Sequence, residues 1–173
     1  MNYASIFFDD TVNGIGFRTS LFVSGCAKNP PCRGCWSPLA RKFDYGKTFT
    51  KDTKDSIIES LRKPYVKGLS ILGGEPMDNL GDGTLLDLVK TIREMFPEKT
   101  IFCWSGYTFE ELIKDPVRLE FLHYVDMLRD GEYIEILRDI TQYLSGSTNQ
   151  RMIAARESLK QNKIIIESSF YIP

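Results

Sequence analysis

Three of the chain's four cysteines, Cys26, Cys32 and Cys35, fall within ten residues, and this crowding constrains the fold more than any other feature. They lie in Gly25-Cys26-Ala-Lys-Asn-Pro-Pro-Cys32-Arg-Gly-Cys35-Trp36, a stretch punctuated by Pro and Gly and therefore a loop. Directly before it runs Arg-Thr-Ser-Leu-Phe-Val-Ser (18–24), which reads as a buried strand. A fitting fold must therefore contain a strand whose end opens onto three thiols.

In a reducing compartment such a cluster points to metal binding or redox chemistry rather than to disulfides. The start, Met1-Asn-Tyr-Ala-Ser-Ile-Phe-Phe-Asp-Asp, lacks the basic residues and cleavage site of a secretory signal. No apolar run approaches the roughly 20 residues needed to span a bilayer. A cytoplasmic protein without membrane attachment is expected. The net charge of -1 argues against a broad basic surface for nucleic acid. His123 is the single histidine, which removes most Ser–His–Asp and Cys–His chemistry.

Structural zinc wants four protein ligands, so a zinc site would need Cys103 or His123 as well. Ordinary ferredoxin clusters also take four cysteines, and three would leave one iron open to a substrate. From spacing alone these two readings stand level. Cys32-Arg-Gly-Cys35 has the form of a thioredoxin-like pair, but that leaves Cys26 without a role. Pro31-Cys32-Arg-Gly-Cys35 matches half of the zinc deaminase signature. The other half needs an upstream His or Cys with Glu two residues on, and Cys26 has Lys28 there.

The 173 residues, 42% of them hydrophobic, suit one compact domain over 1–173. Thr50 or Asp52 opens a helix through Ile57, Ile58 and Leu61, ending near Pro64. Leu69–Leu72 is a short strand running into Gly73-Gly74-Glu75-Pro76, and Thr84 starts a helix with Leu85, Leu88, Val89, Ile92 and Phe96 on one face. Thr100–Trp104 is a further strand leading to Ser105-Gly106-Tyr107. Thr108 with Glu111 makes a capping box for a following helix. Val125–Leu128 and Lys163–Glu167 read as later strands. The alternation implies an α/β domain with a mainly parallel sheet, whose strand ends carry the ligand site. Cys26, Gly73-Gly74 and Ser105-Gly106 all fall at such ends.

Taken with its order along the chain, this pattern resembles the radical S-adenosylmethionine superfamily and, more narrowly, the anaerobic ribonucleoside-triphosphate reductase activating proteins. The resemblance rests on Val12-Asn13-Gly14-x-Gly16-x-Arg18, Leu-Phe-Val-Ser-Gly25-Cys26, Cys32-x-Gly34-Cys35, Gly73-Gly74-Glu75-Pro76 and Trp104-Ser105-Gly106-Tyr107. Downstream it continues with Val125-Asp126, Asp130-Gly131-x-Tyr133 and Gly146-Ser147-x-Asn149-Gln150-Arg151. One departure is visible: five residues separate Cys26 from Cys32, where the family pattern usually has fewer.

The resemblance implies a partial (βα) barrel of the radical S-adenosylmethionine type, since the strands are too few for a closed eight-stranded barrel of about 250 residues. It implies that Cys26, Cys32 and Cys35 hold a [4Fe-4S] cluster and that S-adenosylmethionine chelates the fourth iron. Gly73 and Gly74 would let backbone approach its methionine end. Glu75, Pro76 and Ser105 would shape the cofactor site, and Gly34 and Trp36 would border the adenosine. One electron, drawn from a reduced flavodoxin-like donor, would cleave the sulfonium to methionine and a 5′-deoxyadenosyl radical. That radical would take hydrogen from a glycine of the large subunit of the anaerobic reductase.

A radical enzyme for a small molecule and a non-enzymatic zinc module are the competing readings. Cys103, between Phe102 and Trp104, is expected to be a buried apolar thiol. His123 is expected to be packed, and Asp9-Asp10 solvated. Arg151 suits a partner contact and a surface salt bridge equally.

Overall fold

The computed structural model describes residues 1–168. Seven strands form one sheet: β1 (Asn2–Asp10), β2 (Phe17–Val23), β3 (Lys47–Thr48), β4 (Val66–Gly73), β5 (Thr100–Trp104), β6 (Met127–Asp130) and β7 (Arg151–Ala154). Their order is β3-β1-β2-β4-β5-β6-β7. The centre, β2-β4-β5-β6, is parallel, and the flanking pairs β1-β3, β1-β2 and β6-β7 are antiparallel. The expected parallel arrangement thus holds for the four central strands.

Five helices accompany the sheet: α1 (Lys51–Arg62), α2 (Thr84–Met95), α3 (Phe109–Leu112), α4 (Pro116–Leu122) and α5 (Ala155–Gln161). The predicted capping box of Thr108 with Glu111 is formed on α3, and Thr50, one of the two residues expected to open α1, caps it in a second box with Thr53. The helix expected after Thr108 breaks in two. Pro116 forces the change, because Asp115 is held extended and re-caps α4 by accepting from the Val117 and Arg118 amides.

Side-chain alternation divides the sheet into two unlike faces. Leu21, Leu69, Ile71, Ile101, Cys103, Leu128 and Ile153 face the helices, where Ile57, Leu61, Leu85, Leu88, Ile92 and Phe121 complete one buried core. The opposite face carries Arg18, Ser20, Ser70, Phe102, Arg129 and Met152, covered by loops instead of helices. Arg18, 1% exposed, is the clearest case. Its guanidinium donates to Ser70 Oγ, Thr100 Oγ1 and the Leu69 and Thr100 carbonyls, and it stacks 3.9 Å from the Phe102 ring centroid. Gly14 must be glycine here, since a Cβ would sit 2.5 Å from Arg18 Cδ. Ser70 Oγ in turn donates to the Asn13 carbonyl at 2.5 Å, and Tyr143 Oη donates to the Gly14 carbonyl at 3.4 Å. The 11–16 loop and the segment after β6 therefore close this face together.

Several expectations are corrected. β1 and β7 escape a reading by periodicity: β1 exposes Phe7 and Phe8 side by side, and β7 is four residues long and starts on Arg151. Both are strands because a neighbour pairs with them. Asp10 is half-buried, accepting from Ser20 Oγ, Asn13 Nδ2 and the Val12 amide, while Asp9 is exposed and pairs with Lys63. Lys163–Glu167 contributes one bridge, Ile166 to Ile153, rather than a full strand. His123 is exposed at the end of α4, with Nδ1 2.8 Å from the Leu119 carbonyl.

Candidate metal and cofactor site

The loop after β2 is tied down at its root. Gly25, at φ 113°, donates to the Ala40 carbonyl at 2.7 Å, and the Cys26 amide donates to the Arg41 carbonyl at 3.0 Å. The Gly25 carbonyl accepts from the Glu75 amide at 2.7 Å and from Asn79 Nδ2 at 3.2 Å. The Ala27 amide donates to Asp78 at 2.7 Å. Farther along, the Cys35 amide donates to the Cys32 carbonyl at 3.3 Å, with Gly34 in the left-handed conformation at φ 74° between them.

Cys26, Cys32 and Cys35 line a cavity of about 370 Å³ together with Trp36, Gly73, Gly74, Glu75 and Ser105. Of the residues expected to shape a cofactor site, Pro76 is buried in a 3-10 turn behind the wall, and Gly34 lies against Tyr133 and Glu135 outside the lining. Trp36 stands 72% exposed at the rim with the Arg138 guanidinium over its ring. Asn13, Lys28, Arg41 and Gly106 line the same cavity and were not singled out from sequence. Asn13 and Gly106 lie inside quoted motifs, which was the available signal. Lys28 and Arg41 carried none.

Glu75 explains how three loops meet. Its carboxylate is 2% exposed and accepts from Ser105 Oγ at 2.8 Å, the Gly106 amide at 2.7 Å and the Met77 amide at 3.1 Å. It thereby joins the end of β4 to the end of β5. Burial pushes its carboxyl up to about 7 despite those donors. Burial also raises the Cys26 thiol, and pushes Cys32 up to about 11 with Glu132 as the next cause. Metal binding at these thiols must therefore release protons.

Cys103 is fully buried among the helix-facing residues, and it does not line the cavity. His123 is likewise outside the lining. Neither residue that could complete a four-ligand zinc site stands with the other three cysteines. Among the described residues no three His, Cys, Asp or Glu side chains are grouped to hold a single ion. Three cysteines on one cavity, with no fourth protein ligand beside them among the described residues, are the donor set that an iron-sulfur cluster with one open iron would take. Arg151 is committed to an ion-pair network, donating to Asp130 Oδ1 at 3.0 Å and to both Glu110 oxygens.

Residues 12–153, the stretch that holds the three-cysteine loop and the Gly-Gly turn, match the family described as a 4Fe-4S single cluster domain. The chain is one of that class. Within it, the chain is 38% identical to the anaerobic ribonucleoside-triphosphate reductase-activating protein of Enterobacteria phage T4, over 88% of this chain and 93% of that one. The proteins of the same name from Vibrio cholerae and Escherichia coli K12 are 38% and 36% identical, each over 87% of this chain and 96% of their own. The chain belongs to the family of anaerobic ribonucleoside-triphosphate reductase-activating proteins. No solved structure matches it. No helix among the described residues is long and apolar enough to cross a membrane.

Proposed function

We propose that this protein activates an anaerobic ribonucleoside-triphosphate reductase by generating a glycyl radical on its large subunit. The observation that carries this reading is the meeting of Cys26, Cys32 and Cys35 with the Gly73-Gly74-Glu75 turn and Ser105 around one cavity. Cys26, Cys32 and Cys35 would hold a [4Fe-4S] cluster, and the rest of the lining would receive S-adenosylmethionine. When bound, these groups supply one-electron cleavage of the sulfonium and the hydrogen abstraction from glycine.

The chain's own part is to position and to shield. The Gly73 and Gly74 backbone forms the wall toward the methionine end, while Glu75 holds that wall against Ser105 and Gly106. Trp36, exposed on the rim, supplies an aromatic face for the adenine. The central sheet is read as a partial barrel whose mouth remains open on the cluster side. A docked protein carrying the glycine would close that mouth and keep water out. Electrons would arrive from a reduced flavodoxin-like donor, and the reaction would run in the cytoplasm. A small-molecule substrate would leave that mouth open to water.

The test mixes reduced, cluster-loaded protein, S-adenosylmethionine and the host's anaerobic reductase, and records the electron paramagnetic resonance spectrum. A glycyl doublet on the reductase, absent with Cys35→Ala, is the expected result. Cofactor cleavage without a doublet, together with turnover of a small molecule, would overturn it.

A further inference from the structure

We infer that Lys28, carried on the stretch between Cys26 and Cys32, recognises the carboxylate of S-adenosylmethionine. This rests on reading the cavity as the site of that cofactor. A bound amino-acid carboxylate removed from water needs a cation, or several amide donors, facing it. The cavity lining contains two cations, Lys28 and Arg41. Arg41 is tied to the backbone of the loop itself, its Nη2 donating to the Lys28 carbonyl at 3.1 Å, whereas among the described residues the Lys28 ammonium holds only the Glu132 side chain.

That ammonium is held in place with donors to spare. Its side chain is 16% exposed, and Nζ lies 4.7 Å from the centroid of the Tyr107 ring. Its stem packs on Gly106, where a Cβ would come within 2.8 Å of Lys28 Cε. Among the described residues its one ion pair is with Glu132, at a long 3.5 Å, and Glu111 also feels its charge across a neighbouring acidic cavity. An ammonium carries three N–H donors, so this single stretched contact leaves capacity for an incoming carboxylate. The Glu132 side chain is 44% exposed and can turn to solvent when it is displaced. The carboxylate of Glu75 does not compete for Lys28, because Ser105, Gly106 and Met77 already donate to it.

The experiment measures calorimetric dissociation constants of S-adenosylmethionine and of its decarboxylated analogue on cluster-loaded wild-type, Lys28→Gln and Lys28→Arg proteins with equal iron content. Lys28→Gln should weaken S-adenosylmethionine by about tenfold or more, the usual scale of a charged hydrogen bond, and leave the analogue unchanged. Lys28→Arg, which keeps the charge, should recover most of the difference. Equal loss of both ligands in Lys28→Gln, or loss of neither, overturns the assignment of Lys28 alone. A cluster-loaded wild type that binds neither ligand overturns the proposed function and this assignment with it.

Discussion

Gly74→Ala tests how the cysteine loop is seated, and its cost can be worked from the backbone. Gly74 is not in a left-handed conformation, so alanine meets no torsional objection. The objection is space. A Cβ at 74 would stand 2.4 Å from the Gly25 carbonyl oxygen and 2.8 Å from that of Ala40, where ordinary contact starts at 3.4 Å. The Gly25 carbonyl must retreat by about 1 Å, and both neighbours are backbone, which cannot rotate aside. Two hydrogen bonds depend on that seat: Glu75 amide to Gly25 carbonyl and Gly25 amide to Ala40 carbonyl, each 2.7 Å. Leaving buried backbone groups unpaired costs about 1–3 kcal/mol apiece. Alanine returns about 0.4–1 kcal/mol by restricting the unfolded chain. The net expectation is a loss of about 3 kcal/mol, accompanied by poor iron retention, because the residue displaced is next to Cys26. Urea denaturation of the metal-free protein and iron and sulfide analysis after anaerobic reconstitution measure the two effects. Gly81→Ala is the control, since nothing lies within 4 Å of its Cβ position. A Gly74→Ala protein within about 1 kcal/mol of wild type and carrying full iron would refute the packing argument.

Two further perturbations probe the core behind the site and the site's wall. Cys103→Ala should keep its iron and lose about 1–2 kcal/mol, the cost of removing a buried sulfur from the helix-facing core; loss of the cluster with normal stability would make Cys103 a ligand. Glu75 is raised to about 7 by burial, so its protonated form favours folding: that contribution is full below about pH 4.5 and is lost as pH rises through about 7. The stability difference between wild type and Glu75→Gln should therefore shift against wild type by about 3 kcal/mol from pH 4 to pH 8, read by urea denaturation. Parallel pH profiles for the two proteins would show that the three donors on Glu75 hold it ionised throughout.

The sequence by itself determined α1, α2 and the parallel centre, along with the start of α3. The apolar period of α2, the N-cap at Thr50, the capping box at Thr108, and the buried runs in β2, β4 and β5 are local signals, and each of these elements follows from its own residues. It also brought the cysteines, Gly73-Gly74 and Ser105-Gly106 to strand ends, because parallel strands joined by crossovers place those ends along one rim. Only the tertiary structure decided the edges and the loop-covered face. β1 and β7 are strands through hydrogen bonds to β2 and β6, and carry no clean alternation of their own. The fully buried Arg18 looks like a surface residue until Ser70, Thr100 and Phe102 from other strands surround it. Lys28 is the same kind of case. Nothing adjacent in the chain distinguishes it from a solvated lysine, and its place in the cavity depends on Tyr107 and Gly106, which the fold brings to it from the end of β5. A polar side chain's role is set by the partners that desolvate and bond it, and those partners are supplied by long-range contacts.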